Sequence, residues 1–211
     1  MNNIKDFKGY ISMVNEAVIM PIDYTDLMSE LADACSARPI SVDQANIIAW
    51  NHDVKFKRYD EFYRSLPDAL KHTAPPQNTP LFGFIDSDNN VNIVLNIPGI
   101  GFRELGFISH MIQHESVHKG QWERRGENVE YTLPDAKDSA SYFSNKDEIM
   151  AFSQSIVEML LSNERLTNMS QLIALLRRNK LYNDIKKVVS EDVLKRYNKY
   201  IYQYAEQYLN Q

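Results

Sequence analysis

Cysteine is all but missing from this sequence: Cys35 stands alone among 211 residues. No internal disulfide can form and a cysteine-built zinc knuckle is excluded, so any metal has to be held by His, Asp or Glu. No apolar run approaches the ~20 residues that a bilayer-crossing helix needs. The opening stretch Met1-Asn2-Asn3-Ile4-Lys5-Asp6 carries charges and amides where a secretory signal would be apolar. Neither a membrane partner nor signal-directed export is expected, and the expected location is cytoplasmic. An excess of positive charge is lacking too. The net charge is −5, whereas nucleic-acid binding is driven by Lys and Arg neutralising phosphates, so nucleic acid is not an expected partner. Lys and Arg do gather between 176 and 198, but Asp184, Glu191 and Asp192 interrupt them, and the stretch reads as a solvated helix face. Internal repeats are absent, which sets aside solenoid architectures.

What is present suits a globular chain: 44% hydrophobic and 24% charged residues, with length enough to bury one good core. A single domain over 1–211 is expected, predominantly helical α+β, with a small sheet over one central helix. Its leading part, 1–72, holds a helix from Thr25 to Cys35. A second helix, opened by a Ser41/Gln44 capping box, runs through Trp50. The alternation Val54-Lys55-Phe56-Lys57 favours a short strand, with a helix running on to Leu66 as a close alternative. Three prolines, Pro75, Pro76 and Pro80, then break regular structure.

The middle part, 80–162, opens with Leu81–Ile85 and Val91–Ile97 flanking a polar turn, the pattern of a β-hairpin. Apolar residues then return at helical spacing from Phe102 to Gly120, with Gly120 as the expected stop. A polar loop from Gln121 to Ser144 follows, and Asn145 opens a helix through about Leu161. The remainder, 166–211, reads as two or three helices ending in an amphipathic one with Tyr197, Tyr200, Ile201, Tyr204 and Tyr208. A stripe at that spacing is more often core than a partner face.

The chemistry lies in His114-Glu115-Ser116-Val117-His118. Residues four apart on a helix point the same way, so His114 and His118 offer two imidazoles to one metal ion. Glu115 is rotated by one residue, where a carboxylate reaches a metal-bound water without displacing it. Zinc makes such a water acidic, and Glu115 is placed to take its proton and later protonate a leaving amine. Alone the five-residue string is a moderate signal; its setting in an amphipathic helix after a hairpin, whose second strand is expected to line a cleft, strengthens it.

This arrangement resembles the zincin-type metallopeptidases. No histidine follows His118, and Gln121 and Arg124 stand where a metzincin has glycine and histidine, so a downstream third ligand has to be a carboxylate. Glu148, in the first turn of the helix after Asn145 with the small Ala151 one turn on, is the best candidate and resembles the glutamate-bearing helix of gluzincins. Two other readings stay open: Asn145 with Glu148 makes a capping box that needs no metal, and Asp147 or another acid is an alternative ligand. Relative to the thermolysin pattern the gap after His118 is longer, and Phe152 occupies the place of the aspartate that would orient the first histidine. Glu158 and Asp138 are the remaining candidates for that acid.

The segment Tyr142–Phe152 together with the His-Glu-Ser-Val-His helix is also similar to small phage-encoded metallopeptidase-like proteins. The resemblance spans roughly 80–160. It implies a zinc-dependent hydrolase of peptides or proteins on a zincin-like scaffold, gluzincin-like in its ligands, with Zn²⁺ as cofactor. The reading from a different class is a zinc-binding or metal-free structural or interaction protein on the same scaffold. Tyr142, with Tyr131 behind it, is the candidate donor to a developing oxyanion. His110, one turn before His114, is read as a cleft-lining or ordinary polar residue. Cys35 is read as a buried small side chain rather than a nucleophile.

Overall fold

The computed structural model describes residues 18–126, 139–162 and 166–210. Helix α1 (Thr25–Cys35) buries Leu27, Leu31 and Cys35, one residue per turn. Helix α2 (Val42–Ile48) starts at the expected capping box: the Gln44 N–H donates to Ser41 Oγ at 3.2 Å and the Ser41 N–H to Gln44 Oε1 at 2.9 Å. A 3₁₀ turn, Ala49–Asn51, ends it. Strand β1 (Val54–Arg58) runs straight into helix α3 (Tyr59–Ser65).

Strands β2 (Leu81–Ile85) and β3 (Val91–Leu95) form the hairpin. Its turn is held by Asp86 Oδ1, which accepts from the N–H groups of Asp88 and Asn90, while Asn89 takes the left-handed φ of 64°. The sheet order is β1-β3-β2, with β1 parallel and β2 antiparallel to β3. The hairpin's second strand, expected to line a cleft, lies elsewhere in the sheet. The second strand, β3, is the fully buried centre of the sheet, and the first, β2, is the edge.

Side chains alternate across the sheet, so each face has its own layer. Val54, Phe56, Val91, Ile93 and Leu95 pack with Leu105, Ile108 and Ile112 of the long helix α4 (Phe102–Arg125) and with α1 and α2. The opposite face packs Val94, Phe82 and Phe84 against Tyr59, Phe62 and Leu66. Helix α4 runs past the expected stop. It ends at Gly126, whose φ of 66° makes a left-handed cap. Gly120 is interior and serves close approach instead, because a Cβ there would sit 2.5 Å from Ile19 Cγ2.

The expected loop from Gln121 to Ser144 is helical at both ends, where α4 takes its beginning and helix α5 (Ser139–Ser144) its end; its middle, 127–138, lies outside the described residues. Helix α6 (Lys146–Ser162) is followed by α7 (Leu172–Leu176), α8 (Lys180–Val188) and α9 (Glu191–Leu209). Tyr197, Tyr200 and Tyr204 of α9 are core residues packed with Ile149, Ile156, Val157 and Leu160 of α6 and with Val117 of α4. The Tyr204 hydroxyl donates to the Ile19 carbonyl at 2.7 Å. Helix α4 thus has the sheet on one side and the C-terminal helices on the other. The architecture is predominantly helical α+β with a small sheet, as expected. Among the described residues no helix is long and apolar enough to cross a membrane.

Two glycines distinguish close packing from mere flexibility. A Cβ on Gly83 of β2 would lie 2.7 Å from the Cγ atoms of both Glu115 and Met111, whereas one on Gly106 meets nothing within 4 Å. Gly83→Ala is expected to destabilise by about 1–3 kcal/mol through overpacking. Gly106→Ala, in the helix interior, should stabilise by roughly 0.5–1 kcal/mol. Urea denaturation of the two variants checks both signs.

Candidate metal centre

Helices α4 and α6 pack antiparallel, and their facing side chains form successive rungs: His118 with Glu148, His114 with Ser155, and His110 with Glu158. At the first two rungs three donor atoms converge. His114 Nε2 and His118 Nε2 are 3.3 Å apart, and Glu148 Oε2 lies 3.4 and 3.5 Å from them. These three residues form a group able to hold a metal ion. The alternative ligand Asp147 is turned away, its carboxylate paired in bidentate fashion with Arg125 at 2.7 and 2.8 Å. Glu148 does not turn back as a helix cap. The Asn145 N–H donates to the Tyr142 carbonyl, and the Asn145 side chain accepts from the Asp147 N–H.

The hydrogen bonds behind the imidazoles decide what they present in front. Gln121 Nε2 donates to the Asp147 carbonyl at 3.1 Å, and that acceptor fixes the amide so that Oε1 faces His118 Nδ1 at 2.9 Å. His118 therefore carries its proton on Nδ1. Ser155 donates its hydroxyl proton to the Ala151 carbonyl at 3.1 Å, so its oxygen accepts from His114 Nδ1 at 3.3 Å. An imidazole protonated only at Nδ1 points its Nε2 lone pair at the Glu148 carboxylate, whose buried Oε2 has no hydrogen-bond partner among the described residues.

Three lone-pair donors held this close repel one another unless a positive charge lies between them. Zinc bonds of about 2.0–2.1 Å at tetrahedral angles separate neighbouring ligand atoms by about 3.3–3.4 Å, and the observed spacings of 3.3, 3.4 and 3.5 Å match. The residues present fit the ion.

Protonation follows the same demand. Burial alone would raise Glu148 and lower His118. The His114 and His118 imidazoles facing the carboxyl outweigh it at Glu148, holding that group well below its usual range. The Glu148 carboxylate facing it likewise lifts His118 to about 9. Glu115 is buried against Gly83 of the edge strand, beside the ligand group rather than in it. Burial raises its proton affinity, with the charge of Glu148 adding to it and the two histidines drawing it back. Burial, followed by the charges of Glu148 and Glu115, pushes the pKa of the Tyr142 hydroxyl up.

Aromatic rings close the surroundings: Phe152 lies 4.6 Å from the His114 ring and Trp122 stacks on His118 at 6.2 Å. Phe152 is thus an apolar wall, and Ser155, one turn further along α6, takes the orienting position in its stead. Of the acids considered for that position, Glu158 pairs with His110 at 3.0 Å and not with a ligand. Asp138 and Tyr131 lie outside the described residues. Cys35 is buried and donates its thiol to the Ile100 carbonyl at 3.2 Å. Gln121 and Ser155 were legible as neighbours of the ligands, since Gln121 follows His118 by one helical turn and Ser155 follows Glu148 by two. Neither is a carboxylate, and so neither signals an orienting role by residue type.

Compared with protein-family models, curated proteins and solved structures, the chain matches none. The class of the site therefore rests on its own geometry.

A metal-free centre satisfies its charge by protonating His118, which sets a pH dependence. The folded-state value of about 9 exceeds the ordinary 6.5, so this group's contribution to stability is complete below pH 6.5 and lost as pH rises through 9. Chelator-treated protein should lose several degrees of melting temperature across that window, at about 2–4 °C per kcal/mol. Zinc-loaded protein should not show this loss. Thermal scans at matched pH check the difference.

Proposed function

We propose that the chain is a zinc-dependent hydrolase of peptides or proteins, gluzincin-like in its ligands, with His114, His118 and Glu148 holding Zn²⁺ and Glu115 as general base. The observation that carries the reading is the tetrahedral spacing of the three lone-pair donors with a buried carboxyl, Glu115, directly beside them. A zinc ion supplies, when bound, a Lewis acid for the substrate carbonyl and a means of acidifying water. Glu115 takes the proton of the attacking water. It returns that proton to the nitrogen as the amide C–N bond breaks, leaving a carboxylic acid and an amine. The low-dielectric pocket between α4 and edge strand β2 raises the proton affinity of Glu115, which suits a group that must both accept and donate near neutral pH. Tyr142 brings a phenolic O–H to the same locus. Its hydroxyl lies within the field of the Glu148 and Glu115 charges, and in the reaction we assign it to donate to the developing oxyanion.

The reading from another class, a non-catalytic metal-binding protein, draws support from the burial of His114 and His118, with Glu148 only 14% exposed. It leaves Glu115 without a purpose, since a structural zinc site closes its fourth position with a protein ligand. Among the described residues the ligand group numbers three.

Zinc content and peptide hydrolysis measured across four variants test the proposal. His114→Ala, His118→Ala and Glu148→Ala should each lose zinc or bind it at least tenfold more weakly. Glu115→Gln should keep about one zinc per chain and lose hydrolysis by about 100-fold or more. A folded wild type that binds no zinc, or a Glu115→Gln variant as active as wild type on a cleaved peptide, contradicts it.

A further inference from the structure

Outside the ligand group, the last turns of α4 grip the residue that precedes Glu148 twice. Gln121 donates to the Asp147 main-chain carbonyl at 3.1 Å, and Arg125, one turn further on, takes the Asp147 carboxylate at 2.7 and 2.8 Å. Gln121 is 4% exposed, and its carbonyl oxygen is the partner of His118 Nδ1. One amide therefore joins a ligand of α4 to the backbone that carries the ligand of α6.

We infer that Gln121 is a positioning residue of the metal centre: with Arg125 it clamps Asp147, seats Glu148 opposite the histidines, and holds His118 with its Nε2 lone pair forward. The assignment rests on the metal-hydrolase reading for the identity of the ion and on the hydrogen bonds for the clamp. Each half of the Gln121 amide has a separate task. The donor end sets the distance between the helices at the Glu148 turn; the acceptor end sets the tautomer and ring angle of His118. A neutral acceptor also differs from a carboxylate in its effect. It orients the imidazole without adding negative charge, so the centre keeps more of the positive charge that polarises a substrate carbonyl.

Arg125 supports the clamp from the rim. Its side chain is 35% exposed and that of Asp147 24%, so the pair is partly screened and contributes less than the buried amide. Gln121 is accordingly the residue whose loss the centre feels most.

The test uses the full-length protein, zinc as the probe, and three variants. Gln121→Met keeps the side-chain length and removes both hydrogen bonds. Gln121→Glu keeps the acceptor at His118. Arg125→Gln loosens only the rim and serves if Gln121→Met fails to fold. Zinc affinity is measured by competition with a chromophoric chelator, and the His118 Nδ1–H proton is followed by NMR. In wild type that proton should be shifted downfield and slow to exchange, with or without zinc. Gln121→Met should weaken zinc binding by about 10- to 100-fold and make the proton exchange rapidly. Gln121→Glu should recover the slow proton and at least part of the affinity, and Arg125→Gln should weaken zinc by a smaller factor while leaving the proton slow. Wild-type affinity together with a slow His118 proton in Gln121→Met overturns the clamp while leaving the metal centre standing. A folded wild type without zinc affinity overturns the metal reading, and the exchange of the His118 proton then still decides the role of Gln121.

Discussion

Three electron-pair donors brought to within 3.5 Å of one another on two antiparallel helices create a demand for positive charge that everything else in the structure serves. Burial removes the water that would otherwise solvate them, and hydrogen bonds from behind fix both imidazole protons on the far nitrogens. The demand is met by a metal ion or by a proton on His118. The spacing suits a metal ion, and a carboxyl of raised proton affinity lies alongside; the proposed hydrolytic role rests on these two features.

The scaffold can be read as the means of holding those helices in register. Helix α4 has apolar contacts on two sides, with Leu105, Ile108 and Ile112 toward the sheet and Val117 toward α6 and α9. It cannot rotate to release the histidines without opening one of the two cores. Gly83 lets the edge strand approach Glu115, and Gly120 lets α4 approach Ile19. Buried Lys119 adds a fixed point, its ammonium 2.7 Å from Asp53 just before β1. Rigidity of this kind is what a preorganised site requires, since a ligand displaced by even 1 Å loses its geometry.

Much of this was legible in the sequence, for identifiable reasons. The His114/His118 pair follows from helical periodicity alone. Glu148 was found because histidine ran out after His118 and an acid in the first turn of the next helix remained. Helix α1, the Ser41 capping box, strand β1 and the tyrosine stripe of α9 all follow from local patterns. The strand bordering the site was misread because nothing local says which strand of a hairpin is central; β1 returns from far away in the chain to pair with β3, leaving β2 at the edge. Gly120 looked like a helix end because a glycine kept for close packing and one kept for a left-handed cap are the same letter. The supporting groups behind the histidines carry no comparable signal, because glutamine and serine lack the charge that marks an orienting carboxylate.

The most direct test of the metal centre is anomalous diffraction at the zinc edge from crystals of the zinc-loaded protein. The account predicts one zinc peak between His114 Nε2, His118 Nε2 and Glu148 Oε2, with its fourth position taken by solvent and Glu115 beside that solvent but not bound to the ion. A zinc closed by a fourth protein side chain, or one bound elsewhere while these three residues face each other without it, would contradict the account.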